Sequence, residues 1–302
     1  MDTFTTRSVL LAAGVSSDEV RRALRDGELT PLRRGAYLTA PPPEFADERH
    51  LLLLRAAREH LVPEAVVSHV SAALLHGIEL WRTPLDRVHV TRRRAYGGRC
   101  GARVHVHVAP LEAEETTFLD GVLVTSAART VVDIARTLPF EQAVVAADFA
   151  LRTDLVDRDQ LFEAAARVKG WPGAPAARRV VAFADGRSES VGESRSRVRL
   201  AAAGLLPDEL QWQVIGAGGR IVATTDFAWL GRRTVAEFDG EIKYGRLLRL
   251  GETPGEAVFR EKRREDAIRD EELAVVRWTW QDLDEFNGVA ARVRRAFRSR
   301  TR

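Results

Sequence analysis

Thr234-Val235-Ala236-Glu237-Phe238-Asp239-Gly240 decides how the carboxy-terminal part of this chain folds. Side chains alternate across a β-strand, so a strand here puts Val235, Glu237 and Asp239 on one face and Thr234, Ala236 and Phe238 on the other. Just upstream, Arg220 to Leu230 reads as a second strand, joined by a tight connection at Gly231-Arg232. With Leu230 opposite Arg233, the antiparallel register sets Asp226 directly across from Glu237. Asp226, Glu237 and Asp239 then form one acidic patch. Unit charges about 4 Å apart repel by on the order of 4 kcal/mol at an effective dielectric of about 20, so a divalent cation is the natural offset. Magnesium, or manganese in its place, takes hard oxygen ligands of this kind. Such an ion polarises a scissile phosphate and acidifies an attacking water, which points to phosphodiester hydrolysis. Lys243 follows four residues after Asp239 and is one of three lysines in the chain, with Lys169 and Lys262. It is expected to orient that water or to steady the phosphate.

Working outward, Ser190-Val191-Gly192-Glu193 opens a helix that Gly204 closes. Gln211 to Ile215 is a strand, Asp266-Ala267-Ile268-Arg269 lies in a charged helix, and Leu273 to Trp278 is a further strand. Asp226-Phe227, followed by Val235-Ala236-Glu237-Phe238-Asp239-Gly240, resembles the PD-(D/E)xK superfamily, in particular its very-short-patch-repair-like endonuclease branch. The resemblance covers roughly residues 188 to 283. It implies a restriction-endonuclease-like mixed sheet flanked by helices, with Glu193 as the helix acid, Asp226 as the aspartate and Glu237 as the paired carboxylate. The chain departs from that pattern in two places. Asp239 stands where the superfamily usually has a lysine, and Lys243 follows where the branch often has a histidine. Plainer readings stay open: Glu193 as the glutamate of a capping box, and Asp226 and Glu237 as strand acids paired with arginines. Arg263, Arg264 and Arg269 make either a solvated helix face or a phosphate track.

At the other end, Thr5 or Thr6 caps a first helix, Gly14 ends it, and Ser16-Ser17-Asp18-Glu19 supplies a capping box for a second helix running to Asp26. Leu29 to Tyr37 follows as a β-wing. Residues 1–45 are therefore expected to form a winged helix-turn-helix, with Arg21, Arg22 and Arg25 on the second helix and Arg33 and Arg34 in the wing facing DNA. The alternative is a solvated arginine face on an ordinary helical unit. Leu32-Arg33-Arg34-Gly35-Ala36-Tyr37 and the run Val67-Ser68-His69-Val70-Ser71-Ala72-Ala73-Leu74-Leu75-His76-Gly77 resemble the AbiEi family of antitoxins and transcriptional regulators, over about residues 1 to 150. That resemblance implies a winged-helix repressor and a cognate toxin as partner.

Pro41-Pro42-Pro43 marks a boundary, and residues 46–183 read as an α+β middle domain ending in a helical linker. Its helices are His50 to Leu61, Ser68 to His76, a helix capped by Thr125-Ser126, and Phe140 to Leu151; its strands are Arg87 to Thr91 and Arg103 to Val108. His105 and His107 share a strand face, and His69 and His76 lie two helical turns apart. No third ligand stands at a familiar spacing, so interleaved valines explain the pattern as an ordinary sheet rather than a zinc site. A third domain spans 184–302.

The fold class expected is thus mixed α/β in three domains. Across 302 residues the formal charge is only +3, which permits nucleic-acid binding without demonstrating it. Nearly all basic residues are arginine, a bias that a GC-rich genome explains. A single cysteine, Cys100, excludes internal disulfides and cysteine-rich zinc sites. No apolar run reaches the roughly 18 to 20 residues of a membrane span, and Met1-Asp2-Thr3-Phe4 does not begin a signal peptide, so a cytoplasmic protein is expected. Two functions compete, a DNA-binding, metal-dependent endonuclease and an AbiEi-type repressor whose nuclease-like domain does not cut, with a pure interaction module as the third alternative.

Overall fold

Ser16 and Glu19 tie off the start of a helix reciprocally. The Glu19 carboxylate accepts the Ser16 N–H at 2.7 Å, and the Ser16 hydroxyl accepts the Glu19 N–H at 3.3 Å. This is the expected capping box, and Gly27 closes the same helix in the left-handed conformation at φ 79°. The computed structural model describes residues 4–58, 61–93, 97–240 and 253–299. Its architecture is mixed α/β, with sheets of three, four and six strands. The chain divides into two compact units: Met1–Ala146 with Leu155–Ala182, and Ala147–Asp154 with Phe183–Arg302. The regions expected as 1–45 and 46–183 thus fall largely in the first unit.

The first unit begins with β1 (Phe4–Thr6), α1 (Arg7–Ala12), α2 (Ser17–Asp26), β2 (Thr30–Arg33) and β3 (Ala36–Leu38). Thr6 caps α1 by accepting the Val9 N–H. The hairpin β2–β3 lies where the wing was expected, and β1, which the pattern did not reveal, adds to it in the order β1-β3-β2. There follow α3 (Ala46–Arg58), β4 (Val66–Val67), α4 (His69–Leu75), β5 (Val88–Arg92), β6 (Arg99–Cys100), β7 (Val104–Val108), β8 (Thr116–Leu119), β9 (Val122–Thr125), α5 (Ala127–Thr137), α6 (Phe140–Arg152), whose residues from Ala147 on belong to the second unit, α7 (Arg158–Arg167) and α8 (Ala174–Phe183), whose last residue does too. The six strands are ordered β6-β7-β5-β4-β9-β8. Leu53, Leu54 and Ala57 of α3 pack with Val67, Val88, Val90, Val122 and Val124, so burial of this apolar set holds the sheet to its helices. The short strands β4, β6, β8 and β9 carried too few residues to show a period.

In the second unit, α9 (Val191–Ala202) leads into β10 (Glu209–Ile215), β11 (Ile221–Trp229) and β12 (Thr234–Asp239), then α10 (Pro254–Asp270), β13 (Ala274–Thr279), α11 (Trp280–Asp284) and α12 (Asn287–Ser299). The sheet is mixed. β10, β11 and β12 are antiparallel neighbours, and β13 lies parallel to β12. Alternation along the strands builds two cores. Phe227, Trp229, Ala236, Val276 and Trp278 pack with Leu200 of α9, Leu283 of α11 and Val289 and Val293 of α12. Val214, Ala223, Ala228 and Val235 pack with Ile268 of α10. Two buried indoles find partners inside these layers: Trp278 Nε1 donates to Ser196 Oγ at 2.8 Å and Trp229 Nε1 to the Leu205 carbonyl at 3.1 Å. Among the described residues no helix is long and apolar enough to cross a membrane.

Candidate functional site

The β11–β12 hairpin carries the expected register: Trp229 pairs with Thr234, Ala228 with Val235 and Phe227 with Ala236. One step further along this register Asp226 stands across from Glu237. The strand pairing is not continued there. Instead the Asp226 carboxylate accepts the Phe238 backbone N–H at 2.7 Å. On its other side Asp226 faces Gln211, a position skipped in the β10–β11 ladder, where the backbone takes a left-handed φ of 49°. A non-glycine residue in that region costs of order 1–3 kcal/mol and is held only by its surroundings. The distortion directs Gln211 Nε2 onto the Glu193 carboxylate at 2.9 Å.

Glu193 belongs to the first turn of α9. Its side chain also accepts the Glu189 N–H and the Ser190 hydroxyl, both at 2.8 Å, while Ser190 caps the helix by accepting the Glu193 N–H. Glu193 is therefore both a capping glutamate and an acid of the site. Burial raises its pKa, against hydrogen bonds that favour the ionised form. Asp226 is pushed up to about 7, first by burial, then by the negative charge of Glu193 and, behind the Phe238 hydrogen bond, that of Glu237.

Glu237 has a different environment. Arg277 Nε donates to it at 2.9 Å from β13, its partner in the parallel ladder, and Arg264 of α10 forms a second ion pair. Arg277 also reaches Glu265 at 2.9 Å. Glu237 is thus buried with its charge balanced by two arginines, whereas among the described residues Asp226 and Glu193 form no ion pair, Asp226 feeling the Arg264 charge only weakly. Hard oxygen donors at Asp226 and Glu193 suit Mg2+ or Mn2+. Glu237 would join such an ion only by exchanging arginine contacts for it. Asp239, half-buried and paired with Thr279, follows on the Glu237 face of the strand. Lys243 lies outside the described residues.

The arginines expected at DNA divide by environment. Arg21, Arg22, Arg25 and Arg34 are exposed, Arg21 pairing with Asp18, while Arg33 is half-buried and donates to the Ala56 carbonyl at 2.7 Å. On α10, Arg263 is exposed, Arg269 pairs with Glu265, and Arg264 is spent on Glu237 and on the Thr224 carbonyl at 2.8 Å.

Two groups escaped the sequence reading. Arg277 carried no motif; only its register with Glu237 reveals it. The sequence pattern pairs His105 with His107 on a strand and His69 with His76 along a helix, yet His69 from α4, His89 from β5 and His107 from β7 come together in the first unit. His76, considered as a partner of His69, instead bonds the Thr125 carbonyl at 2.8 Å.

Fold and site together define a mixed α/β protein with a cluster of buried and half-buried acids on a four-stranded mixed sheet. No protein-family model matches the chain. The uncharacterized proteins MT2308 and Rv2248 from two strains of Mycobacterium tuberculosis are 39% identical over 121 residues, 40% of this chain. The chain spans 44% of the length of these relatives. The crystal structure of the Rv2827c protein from the same species aligns with 60% of this chain and 71% of its own at 20% identity and a TM-score of 0.39.

Proposed function

We propose that the second unit is a restriction-endonuclease-like domain that hydrolyses DNA phosphodiester bonds with Mg2+ or Mn2+, and that a winged helix at the amino terminus binds DNA. One observation carries this reading: the hairpin register sets Asp226 across from Glu237, with the charge of Glu193 bearing on Asp226. Bound there, the ion would polarise the scissile phosphate and supply an ionised water. The chain's own residues do the rest. Glu193 and Asp226 offer the oxygens, Gln211 and Ser190 hold Glu193 in place, and the Phe238 N–H fixes Asp226. Asp239 and Lys243 complete the proposed catalytic set. Arg263 and Arg269 are exposed arginines of α10 available to phosphate, Arg269 also pairing with Glu265, alongside Arg21, Arg22, Arg25 and Arg34 for the amino-terminal helix and wing.

The test is nicking of supercoiled plasmid by purified full-length protein with Mg2+ or Mn2+. Cleavage by the wild type and none by Asp226→Asn supports the reading; equal cleavage by both would sink it.

One observation favours a second reading. Arg264 and Arg277 hold Glu237 as a structural ion pair, as expected of a nuclease-like fold that no longer cuts. The protein would then be an AbiEi-type repressor with a cognate toxin, binding its own promoter in a salt-sensitive manner and cleaving nothing under any divalent ion.

A further inference from the structure

His69, His89 and His107 each present a ring nitrogen, and these three nitrogens lie within 4.8 Å of one another. None of the three comes from the acidic site. β5 and β7 run parallel with His89 paired to His105 and Thr91 to His107, so His89, His105 and His107 project from the face opposite Val88 and Val90. His69 arrives from the start of α4 in a left-handed conformation at φ 52°, buried to 4% exposure. The rings pack closely: His69 stacks on His107 with centroids 3.7 Å apart, and His89 Nδ1 lies 3.0 Å from His107 Nε2.

We propose that His69, His89 and His107 bind one borderline divalent transition metal, Zn2+ by its chemistry, with water in the fourth position. Three imidazoles without thiolate or carboxylate select Zn2+ over the hard ions suited to the acidic cluster. Zinc–nitrogen bonds of about 2.0–2.1 Å in a tetrahedron set ligand nitrogens about 3.3 Å apart, so binding requires the His69 and His107 rings to turn out of their stack and close toward the ion. A supporting shell is present. Ser68 Oγ lies 2.9 Å from His69 Nδ1, leaving Nε2 as the ligand atom, and Thr91 Oγ1 donates to Ser68 at 2.8 Å. The His89 backbone N–H is held by Ser71 Oγ at 2.8 Å, which in turn meets His50 Nε2 at 2.8 Å. Outer-shell bonds of this kind fix ring orientation in metal sites.

Neutral imidazoles are the ligating form, and the surroundings keep them neutral. Burial lowers His69 well below its ordinary value, His89 to about 4 and His107 to about 2, with neighbouring histidines adding to each shift. The cations facing the cluster are Arg129 and Arg136 from α5, both neutralised by Asp133, with Glu115 also on Arg129; Arg87 and Asp86 flank the His89 side. A bound ion would tie α4 to β5 and β7.

The experiment uses untagged full-length protein stripped with chelator, then titrated with Zn2+ and with Co2+ as a spectroscopic probe. The expected result is one equivalent of Zn2+, visible d–d bands of four-coordinate Co2+, and a Tm that rises with Zn2+. His89→Gln with His107→Gln should weaken binding by at least about 100-fold, a loss beyond that of outer-shell changes. Asp226→Asn should leave the affinity unchanged, which separates this site from the acidic cluster. No stoichiometric uptake by folded wild type, or uptake that persists in the double variant, overturns the proposal. Should the double variant not fold, Co2+ spectra of His105→Gln and wild type still decide: equal bands support the trio, and absent bands in both reject it.

Discussion

The Asp226 carboxylate accepts the Phe238 backbone N–H at 2.7 Å, in place of a further rung of the β11–β12 ladder. The same acid has its pKa raised from 3.8 to about 7 by burial and by Glu193 and Glu237. A raised acid favours folding while it is protonated, so its contribution is intact below about pH 4 and is lost as the pH climbs to about 7. The size is up to about 4 kcal/mol, from 1.36 kcal/mol for each unit of pKa. Denaturant titrations of metal-free protein should show stability falling over that window, a slope that Asp226→Asn flattens and that saturating Mg2+ or Mn2+ reduces. A pH-independent difference between wild type and variant would contradict it.

Removing the charge of Glu237 should act mainly on stability. Glu237→Ala leaves Arg264 and Arg277 without their shared carboxylate, and breaking a buried pair costs about 3–5 kcal/mol; partial exposure of the arginines puts this case at about 3. Asp226→Asn should do the opposite above pH 7, stabilising the metal-free protein while abolishing any cleavage. Thermal melts and plasmid nicking on the two variants separate a structural acid from a catalytic one.

Gly192 admits no side chain, because a Cβ there would stand 1.9 Å from the Phe238 ring. Gly192→Ala should cost about 1–3 kcal/mol through overpacking despite alanine's better helix propensity. In a Phe238→Val background the same substitution should cost close to nothing, a non-additivity that a double-mutant cycle measures.

Asp148 and Arg197 form a buried pair in the second unit, with Arg197 Nη2 reaching both carboxylate oxygens at 2.8 and 2.7 Å. Asp148→Ala should destabilise this unit by about 3–5 kcal/mol, whereas Asp148→Leu combined with Arg197→Met should recover most of the loss. Urea unfolding of the three proteins provides the comparison.

The hairpin was legible because its information is local: a period of two, a tight even-numbered connection at Gly231-Arg232 and a pair of acids at symmetric offsets, although the structure turns through Leu230 to Arg233 rather than pairing them. The helix starts at Ser16 and Ser190 were legible for the same reason, each being a cap followed three residues later by a glutamate. Arg264 and Arg277 could not be tied to Glu237, since they reach it from 27 and 40 residues away. Lys243, to which the sequence reading assigned the cation of the site, lies outside the described residues, and the charges seen beside Glu237 are arginines.

By itself the sequence determined the strands of the second unit, the start of its first helix at Ser190 and, through the register of one hairpin, that Asp226 stands opposite Glu237, but not α11 or the caps at Thr253 and Thr279. Only the tertiary structure decided which of the acids is held by two arginines and which histidines meet. Periodicity is a property of neighbouring residues along the chain, whereas electrostatic balance and ligand geometry depend on parts of the chain that folding brings together from far apart.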